Sequence, residues 1–254
     1  MQTPVTLVLL PGLDGTEIFF GPLIAALPNW IRPLVVNYPE SGPCTYDELE
    51  QRVEAAVSGL DACIVFGWSF GGPLALRLAR TRPALVRGVV LCASFVRAPR
   101  PELVRWRFAA VTPVIWTLRA LWRTRLLFRR FGSPAFVRAK GETWRRVSAR
   151  ALAARARAAL RVDARVDLAT CKAPILCIQF TRDHAVPRHN TREILAGARA
   201  AELVTFEGHH LAMFEQAEQV AAAVARFARS TSAAQQSPGR PQGLEVAREL
   251  LGAV

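Results

Sequence analysis

The run Gly67-Trp68-Ser69-Phe70-Gly71-Gly72 sets one hydroxyl among small residues, between the apolar stretch 63–66 and the helical pattern Leu74-Ala-Leu-Arg-Leu-Ala. A serine at a sharp strand-to-helix turn is held in a strained conformation that presents its hydroxyl to a cleft. The residues two before and two after it must be small, because the backbones approach closely there. The helix N-terminus behind the turn supplies free N–H groups and positive dipole character where negative charge would develop. Ser69 is therefore a candidate nucleophile, and it needs a base held by a third group. Of the histidines 184, 189, 209 and 210, two stand together in Glu207-Gly-His-His210, after the last strand-like run. Either His210 or His209 suits the base, and the other would then shape the pocket beside Trp68. Asp183, in Phe180-Thr-Arg-Asp-His-Ala-Val-Pro187, ends the preceding strand-like run and suits the orienting acid. Its competing use is to cap the helix that follows. Two backbone donors would complete an oxyanion hole. Phe70 N–H is the first by geometry. Leu13 N–H is the second candidate, in the loop Leu10-Pro-Gly-Leu13-Asp-Gly-Thr16, where Gly12 and Gly15 free the chain to turn.

These groups have to be positioned by the elements around them. Short apolar runs at 6–10, 33–37, 63–66, 86–92, 174–180 and 202–206 predict strands. Helical patterns fall at about 45–60, 70–80, 188–198 and 215–229, the first opened by Thr45 and Glu48 as a capping box. Alternating strands and helices imply an α/β fold with a mostly parallel sheet covered on both faces. Residues 97–168 interrupt the alternation and predict a helical insertion. Its pieces are a Trp/Leu/Arg helix at about 101–130 (with Trp106, Phe108, Trp116 and Trp122) and an Ala/Arg helix at about 145–161. The expected division is a core of 1–96 and 169–229, a basic cap of 97–168, and a flexible linker with a short terminal helix over 230–254.

Half of the 254 residues are hydrophobic, which excludes a disordered chain and allows a sizeable core. No secretion signal is evident at the start, and the five cysteines lack metal-ligand spacing. A reduced, cytoplasmic protein is expected. The run Val111–Leu121 is too short to span a bilayer and contains Arg119. The net charge of +13 is concentrated: residues 97–168 hold 18 of the 33 basic residues and 4 of the 20 acidic ones.

Taken together, these residues resemble the α/β-hydrolase superfamily, nearly throughout the chain up to about residue 230. The family's oxyanion loop corresponds to Pro11-Gly12-Leu13, and the Leu-Pro-Gly-Leu-Asp-Gly-Thr form is similar to a group of bacterial esterase-like members. Its acid motif, with Val-Pro three and four residues on, matches Asp183, Val186 and Pro187. Its histidine motif, with an acid five residues on and Val about ten on, matches His210, Glu215 and Val220, which ranks His210 above His209. The chain order Ser69, Asp183, His210 is the family's order. Ala217 replaces the proline common after that acid. The Gly-Trp-Ser-Phe-Gly-Gly turn also looks like that of the carboxylesterases acting on pimeloyl-carrier-protein methyl ester, although the flanking sequence matches these less well and the oxyanion loop lacks their usual His.

The resemblance implies a serine hydrolase that cleaves a carboxylic ester or thioester through an acyl-enzyme, without metal or organic cofactor. An acyltransferase on the same scaffold and a non-catalytic ligand-binding homologue are the alternatives. A family insertion at 97–168 implies a cap, whose apolar side would line an acyl pocket. At about 100° per residue, Arg146, Arg150, Arg157 and Arg161 share one helix face, read as solvent-facing. Besides a simple solvated face, such charge suits an acidic acyl-carrier protein or an anionic membrane surface. Nucleic acid is not expected, because no recognised binding motif accompanies the charge.

Overall fold

The structure is a computed structural model that describes residues 4–42, 44–106, 113–114, 116–117 and 133–236. The expected aromatic helix at 101–130, with Val111–Leu121 inside it, lies mostly outside the described residues, as does the tail from 237.

Six parallel strands form the sheet: β1 (Val5–Leu10), β2 (Ile31–Val35), β3 (Cys63–Trp68), β4 (Val86–Cys92), β5 (Ile175–Phe180) and β6 (Ala201–Phe206). Their order is β2-β1-β3-β4-β5-β6. Successive side chains on a strand point to opposite faces, so apolar runs feed two cores at once. Val8, Leu10, Val65, Val89 and Cys177 join one core, while Leu7, Leu9, Phe66, Val90 and Ile178 join the other. The first core is closed by α2 (Tyr46–Val57) and α3 (Gly71–Thr81), with residues such as Leu49, Val53, Leu74 and Leu78. The second is closed by α1 (Gly21–Ala26) and by the last helix, through Leu23, Val220, Val224 and Phe227. All five cysteines are buried and free, and burial pushes the Cys63 and Cys177 thiols up to about 12.

The chain turns opposite ways from β1: β2 pairs with one edge and β3 with the other. Such a reversal leaves a crevice above the carboxyl ends of the strands. Leu10 pairs with Gly67 and Trp68 with Cys92, so the loops leaving β1, β3 and β4 emerge side by side at that crevice.

Between β4 and β5 come α4 (Pro134–Arg146), α5 (Ala149–Ala159) and α6 (Arg165–Thr170). An antiparallel bridge, Arg97 to Asp163, ties the two ends of this insertion together, and Ala164 N–H donates to Val96 O at 2.6 Å. The single helix expected over 145–161 is two. Val147 leaves the helical conformation, and the Ser148 hydroxyl caps α5 by accepting from Ala151 N–H. Arg146 therefore ends α4 and does not share a helix with Arg150, Arg157 and Arg161.

α7 (Arg188–Gly197) and the short α8 (Ala212–Glu215) lead to α9 (Ala217–Gln236). α9 runs through residues 230–236, which the composition placed in a flexible linker. The reason is packing: Thr231 is buried, with its methyl beside Gly88 of β4. The hydroxyls of Ser230, Thr231 and Ser232 donate to carbonyls one turn back, which lets this polar triplet stay helical. Among the described residues, no helix is long and apolar enough to cross a membrane.

Candidate active site

Ser69 stands between β3 and α3 with φ of 51°, in the left-handed region that a side-chain-bearing residue seldom occupies. The surroundings hold it there. Its N–H donates to Cys92 O at 2.9 Å, and its carbonyl accepts from the Ser94 hydroxyl at 2.7 Å and from Gly72 N–H at 3.1 Å. The close approach inferred for Gly71 is real: a Cβ there would lie 2.3 Å from the Leu10 carbonyl oxygen.

The structure brings Ser69, Asp183 and His210 together. The Ser69 hydroxyl lies 3.0 Å from His210 Nε2, and His210 Nδ1 lies 2.7 Å from Asp183 Oδ2. The other carboxylate oxygen of Asp183 accepts from Ala185 and Val186 N–H at 2.9 and 2.8 Å. The helix-capping use of this aspartate is thus partly realised, as a turn that feeds one oxygen and leaves the other to the imidazole. With a carboxylate on Nδ1, the imidazole keeps its proton there, so Nε2 is the lone-pair acceptor facing the serine. The Trp68 ring stacks on His210 at 6.1 Å and 24°.

His209 goes elsewhere. Its Nδ1 accepts from Leu211 N–H, its Nε2 faces Glu215 at 3.5 Å, and half of its side chain is exposed. It does not line the cavity above Ser69, contrary to the expectation that it would help shape the pocket. His210 and Leu211 of this turn line the cavity, whereas His209 faces Glu215. Trp68 does line it.

That cavity holds about 400 Å³. Ser69, His210 and Trp68 contribute from the sheet side, Gly12 and Leu13 from the loop after β1, and Lys140, Trp144 and Leu152 from α4 and α5. The described insertion helices α4 and α5 thus form part of the wall of this crevice. Among the described residues, no group of three His, Cys, Asp or Glu side chains is arranged to hold a metal ion.

The loop after β1 is fixed peptide by peptide. Gly15, with φ of 70°, donates its N–H to Gly12 O at 3.1 Å, closing a turn. A trans peptide sets its N–H opposite its carbonyl, so Leu13 N–H points out of that turn. Phe70 N–H stands at the N-terminus of α3, where backbone donors lack partners within the helix. Asp14 Oδ2 accepts from the Thr16 N–H and hydroxyl, although burial still raises this carboxyl above the usual carboxylate range.

Three supports of these loops were not read from the sequence. The Tyr38 hydroxyl donates to Pro11 O and the Tyr46 hydroxyl to Phe70 O, both at 3.1 Å, and the Tyr46 ring stacks on Phe70 at 4.4 Å. The chain has only these two tyrosines, and both serve the site. The third is Arg155 of α5, which is fully buried. Its guanidinium donates to Leu13 O at 2.9 Å, to Asp14 O at 2.8 Å and to Pro39 O, with its carbon 5.4 Å from the Tyr38 ring centroid. Nothing in an Ala/Arg repeat distinguishes the arginine that faces inward; its partners are carbonyls more than 100 residues away. Arg146 also turns to the core, pairing with Glu17 and Glu40 at 2.7 Å each, and Arg165 pairs with Asp163. Part of the insertion's charge is therefore paired: Arg155 is buried, while the Arg146 and Arg165 pairs stay partly exposed to solvent.

The sequence matches the Alpha/beta hydrolase family over residues 7–223. The chain belongs to the α/β-hydrolase family. A relative 28% identical over 236 residues, covering 84% of this chain and 86% of its own, is the pyrrolizixenacetamide deacetylase of Xenorhabdus hominickii. Solved structures with the same fold include the enol-lactonase of Burkholderia xenovorans LB400, with TM-score 0.75, 21% identity and coverage of 90% of this chain and 92% of that one. A carboxylesterase structure from the thaumarchaeon Nitrososphaera gargenis has TM-score 0.75 at 16% identity, covering 91% of this α/β hydrolase and 92% of its own chain.

Proposed function

We propose that this α/β hydrolase is a serine hydrolase that cleaves a carboxylic ester or thioester. The observation that carries the reading is the hydrogen-bonded series Ser69–His210–Asp183, at 3.0 and 2.7 Å, under a largely apolar cavity. In this mechanism, His210 Nε2 takes the Ser69 proton as Oγ bonds to the acyl carbon. The carbonyl π pair moves onto oxygen, and the oxyanion is received by Phe70 and Leu13 N–H. Asp183 holds the imidazole and stabilises its protonated form. His210 then delivers the proton to the departing alcohol or thiol, leaving an acyl-Ser69 ester. Water, deprotonated by the same nitrogen, attacks that ester, and Ser69 recovers its proton as the acid leaves. Trp68 braces the imidazole, and Arg155 holds the peptides that follow Leu13.

The test is hydrolysis of p-nitrophenyl esters from acetyl to palmitoyl by wild type and Ser69→Ala in parallel. Loss of at least about 10³-fold in kcat with Ser69→Ala is expected. Wild-type turnover by a folded Ser69→Ala protein would overturn the mechanism. The chain length preferred by wild type measures the room beneath the cap.

A further inference from the structure

The cavity above Ser69 contains a cation that the mechanism does not use. Lys140 sits on α4 one turn from Trp144 and on the same face as Thr143, and all three line the cavity. On that face Phe136 and Ala139 are buried, and the Thr143 hydroxyl donates to Ala139 O at 3.1 Å. Lys140 Nζ lies 5.7 Å from the Trp144 ring centroid. Among the described residues, no carboxylate comes within ion-pairing distance of it. Asp14, an acid on the cavity wall, interacts with it only at longer range and has both protons from Thr16 directed at one of its oxygens. Burial pulls the ammonium toward its neutral form, as expected of a cation desolvated without a direct counter-ion.

An ammonium in a mostly apolar pocket costs stability unless something compensates it, and binding pockets characteristically use a few placed polar groups to fix a ligand's orientation. We infer that Lys140 recognises a carboxylate on the substrate, so that the preferred substrate is an ester whose acyl chain carries a free acid. This rests on the serine-hydrolase reading and narrows it. The ester carbonyl sits at Ser69 while the carboxylate at the other end of the acyl chain meets Lys140. Trp144, Leu152 and Leu13 enclose the methylenes between them. Cap and core each hold one end of such a substrate.

The experiment compares monomethyl with dimethyl esters of the dicarboxylic acids from succinate to suberate, measuring kcat/KM by methanol release. At one or more chain lengths, wild type should prefer the half-ester by about tenfold or more, the range of a charge-assisted hydrogen bond. Lys140→Met should reduce that ratio at least tenfold, and Lys140→Glu should invert it. Arg138→Met, at an exposed position of the same helix, removes the same charge and should leave the ratio in place. The ratio cancels any loss of folded protein. An unchanged ratio in Lys140→Met, or equal use of half-ester and diester by wild type at every length, overturns the inference even if Ser69-dependent hydrolysis of neutral p-nitrophenyl esters persists. Absence of Ser69-dependent turnover on all esters would overturn the hydrolase reading instead, and this inference with it.

Discussion

Replacing Arg155 by Met tests whether the cap sets the geometry of the oxyanion loop. Methionine approximates the length of the arginine stem but removes every donor. The carbonyls of Leu13, Asp14 and Pro39 then lose a charge-assisted partner in a buried setting. Each carbonyl left without a partner costs about 1–3 kcal/mol. The variant also no longer buries a cation, which recovers several kcal/mol of desolvation cost. The balance is a net loss of about 2–4 kcal/mol, visible as a lower urea midpoint at unchanged m-value. Catalysis should suffer separately. The turn that directs Leu13 N–H outward is closed by Gly15 N–H to Gly12 O, and the two peptides inside it are those that Arg155 holds. One oxyanion donor is worth about 10²–10³ in kcat. Partial misplacement should therefore lower kcat about 10- to 100-fold on a short neutral ester, with KM little changed. Both constants are measured per active site, counted by fluorophosphonate labelling at a temperature well below the unfolding transition. Arg155→Met with wild-type kcat per labelled site would refute the positioning role, whatever its stability.

Two further outcomes follow from the geometry. His210→Ala should lower kcat at least about 10³-fold, whereas His209→Ala, which removes a half-exposed ring facing Glu215, should stay within a few-fold of wild type; equal losses in the two variants would show that the base is misassigned. Gly71→Ala sets a methyl 2.3 Å from a backbone oxygen and should abolish soluble folding or cost more than about 3 kcal/mol, while Gly59→Ala, with open space around it, should melt within a few degrees of wild type; similar melting temperatures would contradict the tight packing of the turn.

Much of this molecule was legible before its fold was seen, and for local reasons. Six apolar runs became the six strands within two or three residues; burial of β1, β3, β4 and β5 on both faces writes continuous hydrophobic segments into the chain, while the edge strands β2 and β6 are partly exposed. Thr45 and Glu48 form the capping box they suggest, since that contact spans three residues. Ser69, Asp183 and His210 were legible as candidates because each follows a strand and carries a recognisable neighbourhood. Sequence could not choose between His209 and His210 from the residues alone; the family spacing ranked them, and the turn's geometry turned one inward and the other toward Glu215.

What the tertiary structure decided is everything that depends on partners distant in sequence. The Ala/Arg stretch reads as a solvated face, yet it yields one fully buried cation on the loop after β1, while Arg146 within it pairs with Glu17 and Glu40 and Arg165 just beyond it pairs with Asp163. Residues 230–236 read as linker, yet Thr231 finds the space left by Gly88 on a strand more than a hundred residues earlier. Lys140 carries no motif, and only the stacking of α4 over the crevice turns its ammonium into the cavity with Ser69. Local sequence determines periodicity, turns and the identity of reactive side chains, because those follow from neighbours within a few residues. Whether a charge is solvated, paired or aimed at a substrate depends on the desolvation and donors that distant segments supply, and these exist only once the chain has folded.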